Sequence, residues 1–109
     1  MRLLTDEQIK NLPPLYATEK IATKDKIVKI KFFTPDSSWS WYVVEYDKDE
    51  KIFFGYVNGH YPEWGYFSLE ELEQTKGPFG LHIERDIHFK EQPFGQIKEL
   101  QWIYYQVKN

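Results

Sequence analysis

The sequence predicts a small α+β domain: one mainly antiparallel sheet of about five strands, carrying two or three short helices. Three observations lead there. Three closely spaced stretches read as strands, the first with the apolar–polar alternation of a half-buried strand. Two Ser/Thr-x-x-Glu/Gln boxes mark the starts of short helices. The 109-residue chain is 18% aromatic against 41% hydrophobic overall, so its core is built largely from rings. Buried Tyr and Trp need polar partners, which favours a sheet over a plain helical bundle.

The elements follow in order. Thr5-Asp6-Glu7-Gln8 is a capping box, with Thr5 at the N-cap, opening a short helix that carries Ile9 and Leu12. Pro13-Pro14 ends it, because proline donates no backbone hydrogen bond. Leu15 to Thr18 leads out extended. Lys26 to Phe33 reads as a strand with Val28, Ile30 and Phe32 on one face, Lys29 and Lys31 on the other. Thr34-Pro35-Asp36-Ser37 is a turn. Ser38 to Tyr46 is a second strand, with Trp39, Trp41, Val43 and Glu45 sharing a face. Asp47 to Glu50 connects it to a third strand, Lys51 to Val57, completing a meander. A loop runs from Asn58-Gly59 to Pro62, and Trp64 to Phe67 is short and extended. Ser68-Leu69-Glu70-Glu71 opens a second helix through Gln74, closed by Gly77-Pro78-Phe79-Gly80. Leu81 to Phe89 alternates as a further strand. Gln92 to Gly95 turns, and Ile97 to Val107 suits helix or strand equally. With no repeat, low-complexity stretch or linker, residues 1–109 read as one domain, residues 97–109 being its unassigned end.

Composition narrows function. The chain has no cysteine, which excludes disulfides, thiolate metal sites and a cysteine nucleophile. The start turns acidic at Asp6-Glu7, too soon for a signal peptide, and no apolar run approaches the roughly 20 residues of a membrane span. The expectation is a cytoplasmic protein. Net charge is −3 and Lys20 to Lys31 is its densest basic stretch, so binding driven by phosphate neutralisation is disfavoured. No Gly-x-Ser-x-Gly elbow, phosphate loop or dinucleotide fingerprint is present.

The segment His82-Ile83-Glu84-Arg85-Asp86-Ile87-His88 is the chemically richest. As a strand it sets His82, Glu84, Asp86 and His88 on one face, neighbours about 6.7 Å apart, close enough for two to share a metal ion. Imidazole with carboxylate suits zinc, or manganese and iron at higher carboxylate content. A loop folded over that strand adds His60 and Glu63. The expected metal set is His60, Glu63, Asp86 and His88, with zinc as the ion; the rival reading is a solvated strand face. Such a site is structural if closed by four ligands and catalytic if a position stays open. Glu45, on an otherwise apolar face, is the candidate general base; alternatively it sits hydrated at the strand end. Tyr61 and Trp64, flanking Pro62, are the expected partner-binding pair.

Several spaced stretches carry a family resemblance. They are Leu12-Pro13-Pro14-Leu15-Tyr16-Ala17-Thr18-Glu19, Lys31-Phe32-Phe33-Thr34-Pro35, Trp41-Tyr42-Val43-Val44-Glu45, Gly65-Tyr66-Phe67-Ser68-Leu69, and Gly80 to Phe89. Over residues 3 to 91 the chain resembles the bacterial domain-of-unknown-function family 2958. The resemblance implies a small accessory protein of plasmids, phages or other mobile elements, found beside anti-defence genes. It supplies no catalytic residues. His82 departs from the family pattern, which leaves His60, Glu63, Asp86 and His88 as the ligand set. The first expectation is therefore a non-catalytic protein, with or without structural zinc, that binds and inhibits a host defence protein of the CRISPR or restriction type. The alternative is a metal-dependent hydrolase using the His/Asp/Glu set.

Overall fold

A computed structural model describes residues 2–101. Helix α1 (Asp6–Asn11) precedes β1 (Ile27–Val28), β2 (Ile30–Phe33), β3 (Ser40–Asp47), β4 (Ile52–Asn58) and β5 (Glu63–Ser68). Helix α2 (Leu69–Gln74), β6 (Glu84–Arg85) and β7 (Gln92–Pro93) follow. The five-stranded sheet is antiparallel throughout, in the order β5-β4-β3-β2-β6, and β1 pairs with β7 in a second, two-stranded sheet. The architecture is α+β, as the sequence predicts. The choice between helix and strand for Trp102 to Val107 lies outside the described residues; Lys98–Leu100 just before it is a 3₁₀ turn.

Local chemistry explains the helix boundaries. Thr5 Oγ1 accepts from Gln8 N and Gln8 Oε1 accepts from Thr5 N, so the first capping box is complete. At α2, Ser68 Oγ accepts from Glu71 N, giving the N-cap half of the motif. Both helices are only six residues long and are held by packing.

The sheet is buried on both faces. One face packs beneath Leu3, Leu4, Leu12 and the α2 residues Leu69 and Leu72, over Ile30, Phe32, Trp41, Val43 and Phe53. Its centre is a ring stack: Phe53 lies 5.5 Å from Phe32, 4.7 Å from Tyr46 and 5.3 Å from Phe67. The other face is covered by Phe94, Ile97 and Leu100, over Val28, Tyr42, Val44 and Tyr56. This double covering buries six consecutive residues of β3, Trp41 to Tyr46.

Two irregularities overturn the simple alternation. Val28 packs on one face while Ile30 and Phe32 pack on the other, because the chain breaks step at Lys29 between β1 and β2. In β3, Val43 opposes Gly55 but Glu45 opposes Phe54, so Val44 is the extra residue of a β-bulge. The bulge moves Tyr46 onto the face of Trp41 and Val43, and Glu45 off it. The expected long strand Leu81 to Phe89 is also corrected. Only Glu84–Arg85 pairs with β2, and His82 makes one isolated bridge to Lys76. Asp86 ends the strand: its Oδ1 accepts from His88 N and its carbonyl from Phe89 N, a turn typical of Asp. Ile83 is accordingly buried, while Leu81 and Ile87 are exposed.

Tyr42 is fully buried, and its hydroxyl has no hydrogen-bond partner among the described residues. Burial first, then the nearby Glu99 carboxylate, pushes its ionisation well above the ordinary tyrosine range. Burial raises Tyr46 and Tyr56 as well. A folded-state pKa above the unfolded value means stability is intact below about pH 10 and is lost as pH climbs further. Melting temperature is therefore expected to hold to about pH 10 and then fall, with Tyr42 alone contributing up to about 1.4 kcal/mol per pH unit. Tyr42→Phe should leave stability at pH 8 within about 1 kcal/mol of wild type and should flatten the alkaline fall. Calorimetry of both proteins from pH 8 to 11 checks this; identical pH profiles would refute the assignment to Tyr42.

Candidate functional site

Three loops meet at one end of the sheet, where β2 ends at Phe33, β3 begins at Ser40, β4 ends at Asn58 and β6 begins at Glu84. The first is the turn between β2 and β3. Thr34 organises it: Thr34 N donates to Trp39 O (3.0 Å), and Thr34 Oγ1 accepts from Trp39 N (3.1 Å) and meets Ser37 Oγ at 2.9 Å. The second is a tight loop from Lys76 to His82. Gly77 N donates to Leu81 O, Gly80 N donates to Gly77 O, and Gly80 takes the left-handed φ of +84° that its turn requires.

The first loop holds the second through a carboxylate. Asp36 Oδ2 accepts from Phe79 N at 2.8 Å and from Leu81 N at 3.3 Å. A Cβ at Gly77 would stand 1.6 Å from Asp36 Oδ1, so glycine is what lets the carboxylate reach the loop. The third loop, between β4 and β5, is tied in by Trp39. The His60 ring lies edge-on to the Trp39 ring at 5.2 Å, and a Cβ on Gly59 would strike the indole at 2.4 Å. Trp41 backs Trp39 at 5.9 Å.

These interlocked loops hold two large rings out in solvent. Phe79 is 84% exposed and Tyr61 83%. Tyr61 was expected in this role. Trp64 was expected beside it but is half-buried: strand alternation turns it toward Tyr56 (5.5 Å) and Phe94 (4.8 Å). Phe79 is the exposed ring that sequence reasoning missed. Its signal is an aromatic between Pro78 and Gly80, in a stretch whose glycines and proline also mark the end of a helix unit.

The expected metal set is not assembled. His60 sits in the β4–β5 turn and Glu63 opens β5, at one edge of the sheet, whereas Asp86 and His88 follow β6 at the opposite edge. Four strand spacings, about 19 Å, separate the two edges. Among the described residues, no group of three or more His, Asp or Glu could hold a metal ion. The irregular path after Arg85 also removes the single face that was to align His82, Glu84, Asp86 and His88. Asp86 instead lies 4.0 Å from Lys31, whose ammonium is 2.6 Å from Glu99 and 5.6 Å from the Tyr42 ring centre.

Glu45 is 3% exposed, which corrects the hydrated strand-end reading. Its oxygens are occupied: Oε1 accepts from Tyr16 N (2.8 Å), and Oε2 from Thr18 N (2.8 Å) and Thr18 Oγ1. Buried Lys26 donates to Thr18 O and lies 3.3 Å from Thr18 Oγ1. The network fastens the segment after α1 to the bulge of β3, aided by Tyr46 N donating to Pro13 O. Beside it lies a cavity of about 730 Å³, between Ile9, Leu12, Leu15 and the β3–β4 turn. Glu45 does not line that cavity, so the geometry gives it a fastening role and not that of a base facing a substrate.

A family model described as "Protein of unknown function (DUF2958)" matches residues 3–97. No curated protein and no solved structure matches the chain.

Proposed function

The chain belongs to the DUF2958 family, and we propose that it is a non-catalytic binding protein whose three-loop end occupies a host defence protein of the restriction or CRISPR type. One observation supports the reading above others: two large rings are held out in solvent by loops tied to one another. Exposed aromatics are the usual anchors of protein interfaces, and loops fixed in advance lose little freedom on binding. Mobile loops would carry no such advantage; here Asp36, Thr34 and Trp39 hold the geometry. The absence of a nucleophile motif and the occupied oxygens of Glu45 accord with binding rather than catalysis. The anti-defence role rests on the mobile-element setting that the family resemblance implies. No helix among the described residues is long and apolar enough to cross a membrane.

The test is protection of incoming DNA. A plasmid or phage is challenged in hosts that carry a restriction system or a CRISPR system, with and without the chain expressed. Wild type should raise transfer. Tyr61→Ala/Phe79→Ala should lose that gain, since each interface anchor contributes about 2 kcal/mol or more, roughly 30-fold in affinity. Both side chains are solvent-exposed, so the variant is expected to melt as wild type does. Equal protection by the two proteins rules out the loop end, and no protection by wild type in either host rules out the defence role.

A further inference from the structure

We propose that the edge of β5 left unpaired among the described residues pairs with the β5 of a second copy, about a two-fold axis at Gly65, joining two sheets into one. The two edges of the five-stranded sheet are unlike. Strand β6 is two residues long and closed off by the Asp86 turn. Strand β5 is six residues long and, among the described residues, pairs only with β4. It has none of the features that keep an edge strand single: Glu63 to Ser68 contains no proline and no lysine, and its one charge is at its end.

The strand matches itself. In an antiparallel pair centred on Gly65, Trp64 faces the Tyr66 of the second copy, and Tyr66 faces that copy's Trp64. Trp64 and Tyr66 lie on the same face, opposite Tyr56 and Phe54. They belong to a continuous row of rings: Phe94 to Trp64 at 4.8 Å, Trp64 to Phe54 at 5.6 Å, Phe54 to Tyr66 at 5.2 Å. The row ends on Tyr66, which is 56% exposed. A second copy would cover that ring with an indole, an aromatic cross-strand pair of the favourable kind. The two Glu63 residues would stand opposite Phe67 and about 14 Å from each other along the strands, so no like charges meet. At the axis itself, a Cβ on Gly65 would meet nothing within 4 Å, and its φ lies outside the left-handed region. Nothing among the described residues of one copy therefore requires glycine there.

The chain's lack of cysteine allows a direct test. Directly opposed residues have Cα atoms about 4.5–5.5 Å apart, within disulfide reach. The full chain carrying Gly65→Cys should form a disulfide-linked dimer on mild oxidation. The same chain carrying Glu63→Cys, whose two sulfurs would lie well beyond reach, should stay uncrosslinked. In sedimentation equilibrium, wild type should show a concentration-dependent monomer–dimer equilibrium. Gly65→Lys, which sets two ammonium groups face to face, should weaken association at least tenfold without lowering the melting temperature of the dilute protein. A wild type that stays monomeric into the millimolar range overturns the proposal. Equal crosslinking at positions 63 and 65, or association unchanged by Gly65→Lys, does so too.

Discussion

Replacing Glu45 with alanine is expected to lower the stability of the fold by about 4 kcal/mol, a melting point drop of roughly 15–25 °C. The carboxylate is 3% exposed and accepts from Tyr16 N, Thr18 N and Thr18 Oγ1. Hydrogen bonds to a charged group are each worth about 1.5–3 kcal/mol, and removing the acceptor leaves backbone donors without partners. Relaxation of Tyr16 offsets a part of the loss. Its φ of +73° is unfavourable for a non-glycine residue, by roughly 1–2 kcal/mol, and the bond to Glu45 is what holds it there. Glu45→Gln separates charge from shape. The amide keeps one oxygen acceptor but turns NH₂ toward N–H donors, so about half the loss is expected. The segment from Pro13 to Lys26 should also become open to protease in Glu45→Ala, with trypsin cutting after Lys20 before the core unfolds. Urea unfolding checks the first expectation and limited proteolysis the second. A loss below about 1 kcal/mol would falsify the fastening role of Glu45.

That role shows where the sequence was legible and where it stopped. The helix starts, the three central strands and the ring-built core depend on local pattern, and Thr5, Ser68 and the aromatic- and β-branched-rich run Lys51 to Val57 expose it. The face of Glu45 does not depend on local pattern. Simple alternation sets it beside Trp41 and Val43, but the extra residue Val44 turns it to the other side. A bulge is selected by what packs against the strand, here the Pro13–Thr18 segment some 30 positions away, and nothing within β3 announces it. The same limit governs the metal set. The spacing of His82, Glu84, Asp86 and His88 is that of a strand face, yet Asp86 bonds locally to His88 N and ends the strand. Bringing His60 to that segment further requires a neighbouring position in the sheet, and strand order is a tertiary property. Phe79 was hidden differently. Gly77 and Gly80 show that the chain turns there, but only the carboxylate of Asp36, 43 residues earlier, fixes which side chain the turn presents.

The second large effect is expected at Gly55, and its opposite number Gly65 supplies the control. The two glycines face each other across β4 and β5. Gly55 also opposes Val43, the residue just before the bulge, and there the backbone of β3 lies close over it. A Cβ built on Gly55 falls 2.0 Å from Tyr42 O, 2.9 Å from Tyr42 C and 3.2 Å from Val43 Cα. All three are backbone atoms in the middle of a strand buried on both faces, so no side chain can swing aside to relieve the contact. Gly55→Ala must therefore spread β3 from β4, at a cost of about 3 kcal/mol or more. Gly65→Ala meets no atom within 4 Å and should stay within about 0.5 kcal/mol of wild type, since alanine is also the less flexible residue in the unfolded chain. Chemical denaturation of the two variants side by side checks the pair. Because the substitution is the same and the strands are neighbours, propensity cannot account for a difference between them. Equal stabilities would mean that the close approach of β3 to Gly55, and with it the bulge that shapes the Glu45 network, is wrong.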